Sequence, residues 1–194
     1  MRNEKIKEQL LEEISDLQLK VRENIKKDYI SNKNKYILDF LNVIDSLLIR
    51  SLELQQENKL KKIKYIWVNC LRVSVETESY EYVIKVYDED IYLNNNVAEV
   101  VYVPEYCLKH IENDKETISK LVMNKIIRAK QYEVKDLQKW YVWDTYIQEI
   151  PSEMEEAVEQ IKGLSSYQKL DKDTDIVMYY GEVYEYGKKK YHIE

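Results

Sequence analysis

The 194 residues predict an α+β fold: an N-terminal antiparallel helical hairpin, an antiparallel β-meander, a helical segment and a C-terminal β-hairpin. Three observations carry this reading. The apolar period changes from helical to alternating near residue 60 and back near residue 104. Only three Gly and two Pro occur in the whole chain, so tight turns are scarce and long regular elements are favoured. A composition of 44% hydrophobic and 34% charged residues is that of a globular protein with a charge-rich surface. Residues 1–58 are expected to form the helical hairpin. Residues 59–194 are expected to form an α+β domain, with a sheet over 63–103, helices over 105–162 and a hairpin over 176–193.

The first helix spans 4–28, because Ile6, Leu10, Ile14, Leu17, Val21 and Ile25 line one face. Turn formers follow in Tyr29–Asn34. The second helix, 35–57, carries the wider stripe Ile37, Phe40, Leu41, Ile44, Leu47, Leu48 and Leu52. A short connection between two such helices predicts antiparallel packing. The same stripes also suit self-association into a homodimer.

From Ile63 the alternation of IKYIWVNCLRVSV predicts a strand over 63–75. Its core-facing set is read as Ile63, Tyr65, Trp67, Leu71, Val73 and Val75, with Asn69 as a polar intruder. A turn at Glu76–Ser79 leads to a return strand over 80–90, with Tyr80, Tyr82, Ile84 and Val86 on one face. Ile91–Leu93, the Asn94–Asn96 turn and Val97–Val103 complete the meander, Asn being tolerant of left-handed turn positions.

Pro104 opens a short helix over 105–112, and Asp114 is expected to cap a longer one bearing Ile118, Leu121, Val122, Ile126 and Ala129. A third helix, 133–148, carries Val134, Leu137, Trp140, Tyr141 and Trp143. Ile150–Ser152 breaks it. Ser152 with Glu155 has the spacing of a capping box, and Gly163 stands where a helix-ending glycine belongs, so 153–162 is helical. Residues 165–175 read as a polar loop. The closing stretch VMYYGEVYEYGKKKYHIE contains five of the chain's 18 tyrosines and reads as a hairpin turning at Gly187-Lys188. Tyrosine suits a half-buried pleat, with its ring on the sheet and its hydroxyl in water.

Composition also limits function. Gly163, Gly181 and Gly187 cannot supply a P-loop, a dinucleotide fingerprint or a nucleophile elbow. No apolar run approaches a membrane span, and the charged first turns lack the apolar core of a secretory leader. Cys70 and Cys107 fall in different predicted elements and read as reduced thiols of a cytoplasmic protein. Cys107, His110 and Asp114 share a helical side, but a structural zinc site wants four ligands. No metal, cofactor or catalytic residue is therefore assigned, and the protein is read as a non-enzyme.

Charge then separates two partner classes. The net charge is −6, and the acids concentrate late in the chain. Between Trp140 and Gln160 there is no Lys or Arg, while Asp144, Glu149, Glu153, Glu155, Glu156 and Glu159 all occur. Aromatic anchors beside an acid-only surface would steer a basic protein partner, which nominates Trp140, Tyr141, Trp143, Tyr146, Glu149, Glu153, Glu155, Glu156 and Glu159 as partner-binding residues. The function expected is masking or inhibition of that partner, as in a bacterial or phage anti-defence (anti-CRISPR-like) or toxin-immunity protein. The alternative is a nucleic-acid-binding or metal-dependent nuclease protein using a basic strip of Lys59, Lys61, Lys62, Lys64 and Arg72, opposed by the overall acidity.

Overall fold

The computed structural model describes residues 2–89, 98–148, 151–182 and 189–193. The Asn94–Asn96 turn, strand residues 91–93, Glu149 and the Gly187-Lys188 turn lie outside those residues.

The N-terminal stripe folds as α1 (Arg2–Gln9) and α2 (Leu11–Ser31), broken at Leu10. The break lets α1 lean on a later helix, where Arg2 meets the buried Glu133 at 2.8 Å and the Lys7 ammonium sits 3.4 Å from the Trp140 ring centre. The expected turn at 29–34 shrinks to Asn32, and α3 (Lys33–Gln56) starts at once. The predicted stripe of α3 is buried from Ile37 through Leu48. Helices α2 and α3 are joined directly and touch, but the hairpin is formed only in part. Helix α3 packs on the sheet and on later helices, while α2 lies against a short helix after the third strand.

Strand β1 (Ile63–Cys70) ends earlier than expected, and residues predicted to continue it form α4 (Arg72–Glu76). Register explains the change. Cys70 pairs with Tyr82 and Asn69 with Gly181, where both neighbouring strands run out. Beyond that point there is no ladder partner among the described residues, and the backbone bonds locally, as in Thr77 N–H to the Val73 carbonyl at 2.9 Å. Strands β2 (Tyr82–Tyr87) and β3 (Ala98–Tyr102) complete the antiparallel part.

The helical segment comprises α5 (Glu105–Leu108), α6 (Ile111–Lys125) and α7 (Gln131–Val142), a π-helical turn over Trp143–Ile147, α8 (Ser152–Ile161) and α9 (Ser165–Lys169). His110, not Asp114, precedes α6, and Pro151 precedes α8 without a side-chain cap. The predicted capping box does not form, because Ser152 is the first residue of α8 and not its cap; Glu155 accepts the Tyr191 hydroxyl at 2.5 Å. The polar loop at 165–175 is replaced by α9 and the start of β4 (Lys172–Gly181), which β5 (Lys189–Ile193) follows.

All five strands make one sheet in the order β3-β2-β1-β4-β5. The prediction of an antiparallel sheet fails at its centre, where β1 and β4 run parallel. A parallel neighbour needs a long crossover, and α5 to α9 provide it by returning the chain to the end where β1 began. One sheet face carries Ile66, Val68, Tyr82, Ile84, Val86, Ile176, Met178 and Tyr180 into a core shared with α2, α3, α6, α7 and α8. From Tyr65 onward the core face of β1 is thus the even-numbered one, opposite to the predicted Tyr65 and Trp67, while Ile63, before the register shift, is in the core as expected. Tyr65, Trp67 and Asn69 lie on the other face, where Tyr179 packs against Trp67 and Tyr65 at ring separations of 5.2 and 5.9 Å.

Candidate functional site

Several of the aromatic-acidic residues predicted to bind a partner turn inward. Tyr141, Trp143, Tyr146 and Glu153 are buried, and Trp140 is half-buried under Lys7. They form two carboxylate centres inside the core. Asp114 accepts the hydroxyls of Tyr141 at 2.6 Å and Tyr146 at 2.7 Å. Glu153 accepts Tyr102 at 2.6 Å, and also Tyr106. Between these centres lies the π-helical turn. Tyr82 and Tyr180 reach it from the sheet, donating to the carbonyls of Tyr146 at 3.0 Å and Ile147 at 2.8 Å. A wide turn leaves backbone carbonyls poorly satisfied, and a tyrosine supplies a donor that phenylalanine lacks. Tyr82 and Tyr180 thus do here what phenylalanine could not.

Burial sets the titration of these groups. It pushes the phenols of Tyr82, Tyr102, Tyr106, Tyr141, Tyr146 and Tyr180 above the ordinary tyrosine range, and the neighbouring Glu153 or Asp114 carboxylate adds to this at Tyr102, Tyr106, Tyr141 and Tyr146. Burial also raises Glu153, against the two tyrosine hydrogen bonds that lower it. The Cys107 thiol is likewise pushed up by desolvation. That keeps it a protonated, poorly nucleophilic core residue.

Glu155, Glu156 and Glu159 form the outer side of α8. Its inner side, Met154, Ala157, Val158 and Ile161, is buried, while Glu155, Glu156 and Glu159 are exposed. Glu156 pairs with Lys33, and Glu159 with Lys162 at 2.8 Å. Beside the first turn of α8 a groove of about 530 Å³ opens against α2, floored by Tyr106, Cys107, Thr145 and Tyr146. Its α2 wall was not anticipated from the sequence. The available signal was Arg22, Lys26 and Ile30 at four-residue spacing on the side of the helix that also carries Ile25 and Tyr29.

The residues of the basic strip have partners within the chain. Lys59 pairs with Glu57 at 2.8 Å, and Lys62 with Asp173 at 3.5 Å. The Lys64 ammonium lies near the Tyr65 ring, and the Lys61 backbone is engaged by Gln55 and Asp88. Arg72 sits on α4, paired with Glu182 at 3.0 Å and stacked over Trp143. Nor do Cys107, His110 and Asp114 meet as ligands. His110 bonds Asp28 at 2.8 Å, while Asp114 is taken by its two tyrosines. Among the described residues no group of three or more His, Cys, Asp or Glu gathers, and no helix is long and apolar enough to cross a membrane. Compared with protein-family models, with curated proteins and with solved structures, the chain matches none.

Proposed function

We propose that the protein acts by binding rather than turnover, as a module that masks a basic protein partner in the manner of an anti-defence (anti-CRISPR-like) or toxin-immunity protein. One observation carries this reading: α8 is anchored in the core on one side and exposes Glu155, Glu156 and Glu159 on the other. A rigid helix holding carboxylates at the surface is a suitable electrostatic dock. The local pairs with Lys33 and Lys162 are no obstacle, because surface ion pairs are weak and exchange readily.

The test is the triple exchange Glu155→Lys, Glu156→Lys and Glu159→Lys, assayed by capture of partners from the source cell and by association kinetics at two salt concentrations. Association should slow on the order of tenfold at low salt, with a smaller difference at high salt, because steering is screened beyond about 8 Å at physiological ionic strength. The thermal midpoint should stay near that of the parent. The control exchange Lys59→Glu, Lys61→Glu and Lys62→Glu should leave capture unchanged. If the control abolishes binding while the α8 exchange does nothing, the acidic-dock reading is wrong and a nucleic-acid partner takes its place.

A further inference from the structure

The turn between α6 and α7 displays an apolar tip that the packing leaves in water. Ile126 and Ala129 pack against the core, while Ile127 between them is 86% exposed. Met123, near the end of α6, and Tyr132, at the start of α7, are 64% and 53% exposed at the same end of the helix pair. The turn is held from within. The Ala129 N–H donates to the Ile126 carbonyl at 3.3 Å, the Lys130 N–H to Glu133 at 2.8 Å, and the Arg2 guanidinium to the Arg128 carbonyl at 3.1 Å. Arg128 itself stands at a φ of 56°. A single exposed apolar side chain is ordinary, but a group of them on one fixed protrusion marks a contact surface.

The charges on the tip select the partner. Residues 117–132 include Lys120, Lys125, Arg128 and Lys130 and no Asp or Glu. Lys120 and Lys125, on the flank of α6, pair with Glu116 and Glu13, and Glu133 at the base of the turn is buried against Arg2. Arg128 and Lys130, on either side of Ala129, are exposed, and among the described residues neither is paired with a carboxylate; the Lys130 ammonium lies 5.8 Å from the Tyr132 ring centre. An aliphatic tip beside two such bases combines what a lipid surface accepts: apolar side chains enter the headgroup boundary and bases meet anionic headgroups. A nucleic acid would use the bases but not Ile127, because bases stack on aromatic rings and guanidinium planes. A protein would need a pocket matched to a protruding isoleucine, whereas a lipid boundary needs none. Peripheral contact of this kind also requires no spanning helix.

We infer that the α6–α7 turn docks the protein on an anionic lipid surface, with Ile127 and Met123 entering the headgroup boundary and Arg128 and Lys130 meeting the headgroup charge. Vesicle flotation of the full chain tests this with two compositions: phosphatidylcholine alone, and phosphatidylcholine with an equal part of phosphatidylserine. The protein should bind the mixed vesicles roughly tenfold or more tighter than the neutral ones at low salt. Ile127→Ser should weaken that binding roughly tenfold, with an unchanged thermal midpoint, because the side chain is already in water in the free protein. The pair Arg128→Asn and Lys130→Gln should weaken it roughly tenfold at low salt and much less at high salt, Asn being tolerant of the left-handed backbone at position 128. No flotation with either vesicle, equal binding to both, or insensitivity to Ile127→Ser overturns the inference. A fluorescein-labelled single-stranded oligonucleotide is titrated in parallel. If it binds at the same salt, is lost by the charge pair and is kept by Ile127→Ser, the tip serves a nucleic acid and the lipid inference falls.

Discussion

Raised above pH 10, the protein is expected to unfold in one cooperative step that releases its buried phenols together. Tyr82, Tyr102, Tyr106, Tyr141, Tyr146 and Tyr180 all have folded-state pKa values pushed up by burial. The unfolded chain, with phenols near the ordinary value of about 10, therefore loses these protons first. The stability tied to the six neutral hydroxyls is fully present below that pH and falls as the pH rises through it. Each such group contributes about 1.4 kcal/mol per pH unit, so six contribute about 8. Against a total stability of about 5–15 kcal/mol, the midpoint should fall within one to two pH units above 10. Exposed tyrosines such as Tyr132 should ionise gradually over an intact far-ultraviolet dichroism spectrum, and the remaining tyrosinate absorbance should then rise together with the loss of dichroism. Ionisation of all 18 tyrosines over an intact dichroism spectrum would show that the hydroxyls are not the buried donors described.

Asp114→Ala should destabilise the fold by about 2–6 kcal/mol, because it strands two buried hydroxyls at about 1–3 kcal/mol each. Asp114→Asn, which keeps an acceptor oxygen, should cost less than half as much. The informative variant is Asp114→Ala combined with Tyr141→Phe and Tyr146→Phe. With both donors removed, much of the lost stability should return, since deleting all partners of a buried polar cluster avoids unpaired groups. Urea unfolding of the set reads this directly. A triple variant as unstable as the sum of its single changes would contradict the assignment of Asp114 as the acceptor that both tyrosines need.

The candidate site shows where sequence reading stopped. The 21-residue window from Trp140 to Gln160 is without Lys or Arg, but its acids are divided between two environments. Glu153 and Glu156 differ by three positions and look alike in sequence, yet one lies in the core beneath two tyrosines and the other at the surface. A buried carboxylate is tolerated only where donors converge on it. Those donors, Tyr102 and Tyr106, come from a region about 50 residues earlier. Nothing local to Glu153 records them. The groove was missed for the same reason, since its walls come from α2, α5 and α8.

By itself the sequence determined the α+β class, the buried face of α3, the alternation of β2 and the existence of helices between β3 and β4. These are short-range consequences of period: residues three or four apart share a helix face, and residues two apart share a strand face. Tertiary structure alone decided which side of β1 is core, because Tyr65 and Trp67 are as apolar as Ile66 and Val68 and a central strand has little polar alternation to read. It decided that β1 and β4 run parallel, which depends on where a long helical crossover returns the chain. It also decided what the tyrosines are for. Their number is visible in the sequence, but the carbonyls and carboxylates that need their hydroxyls meet them only when distant segments are packed together out of water.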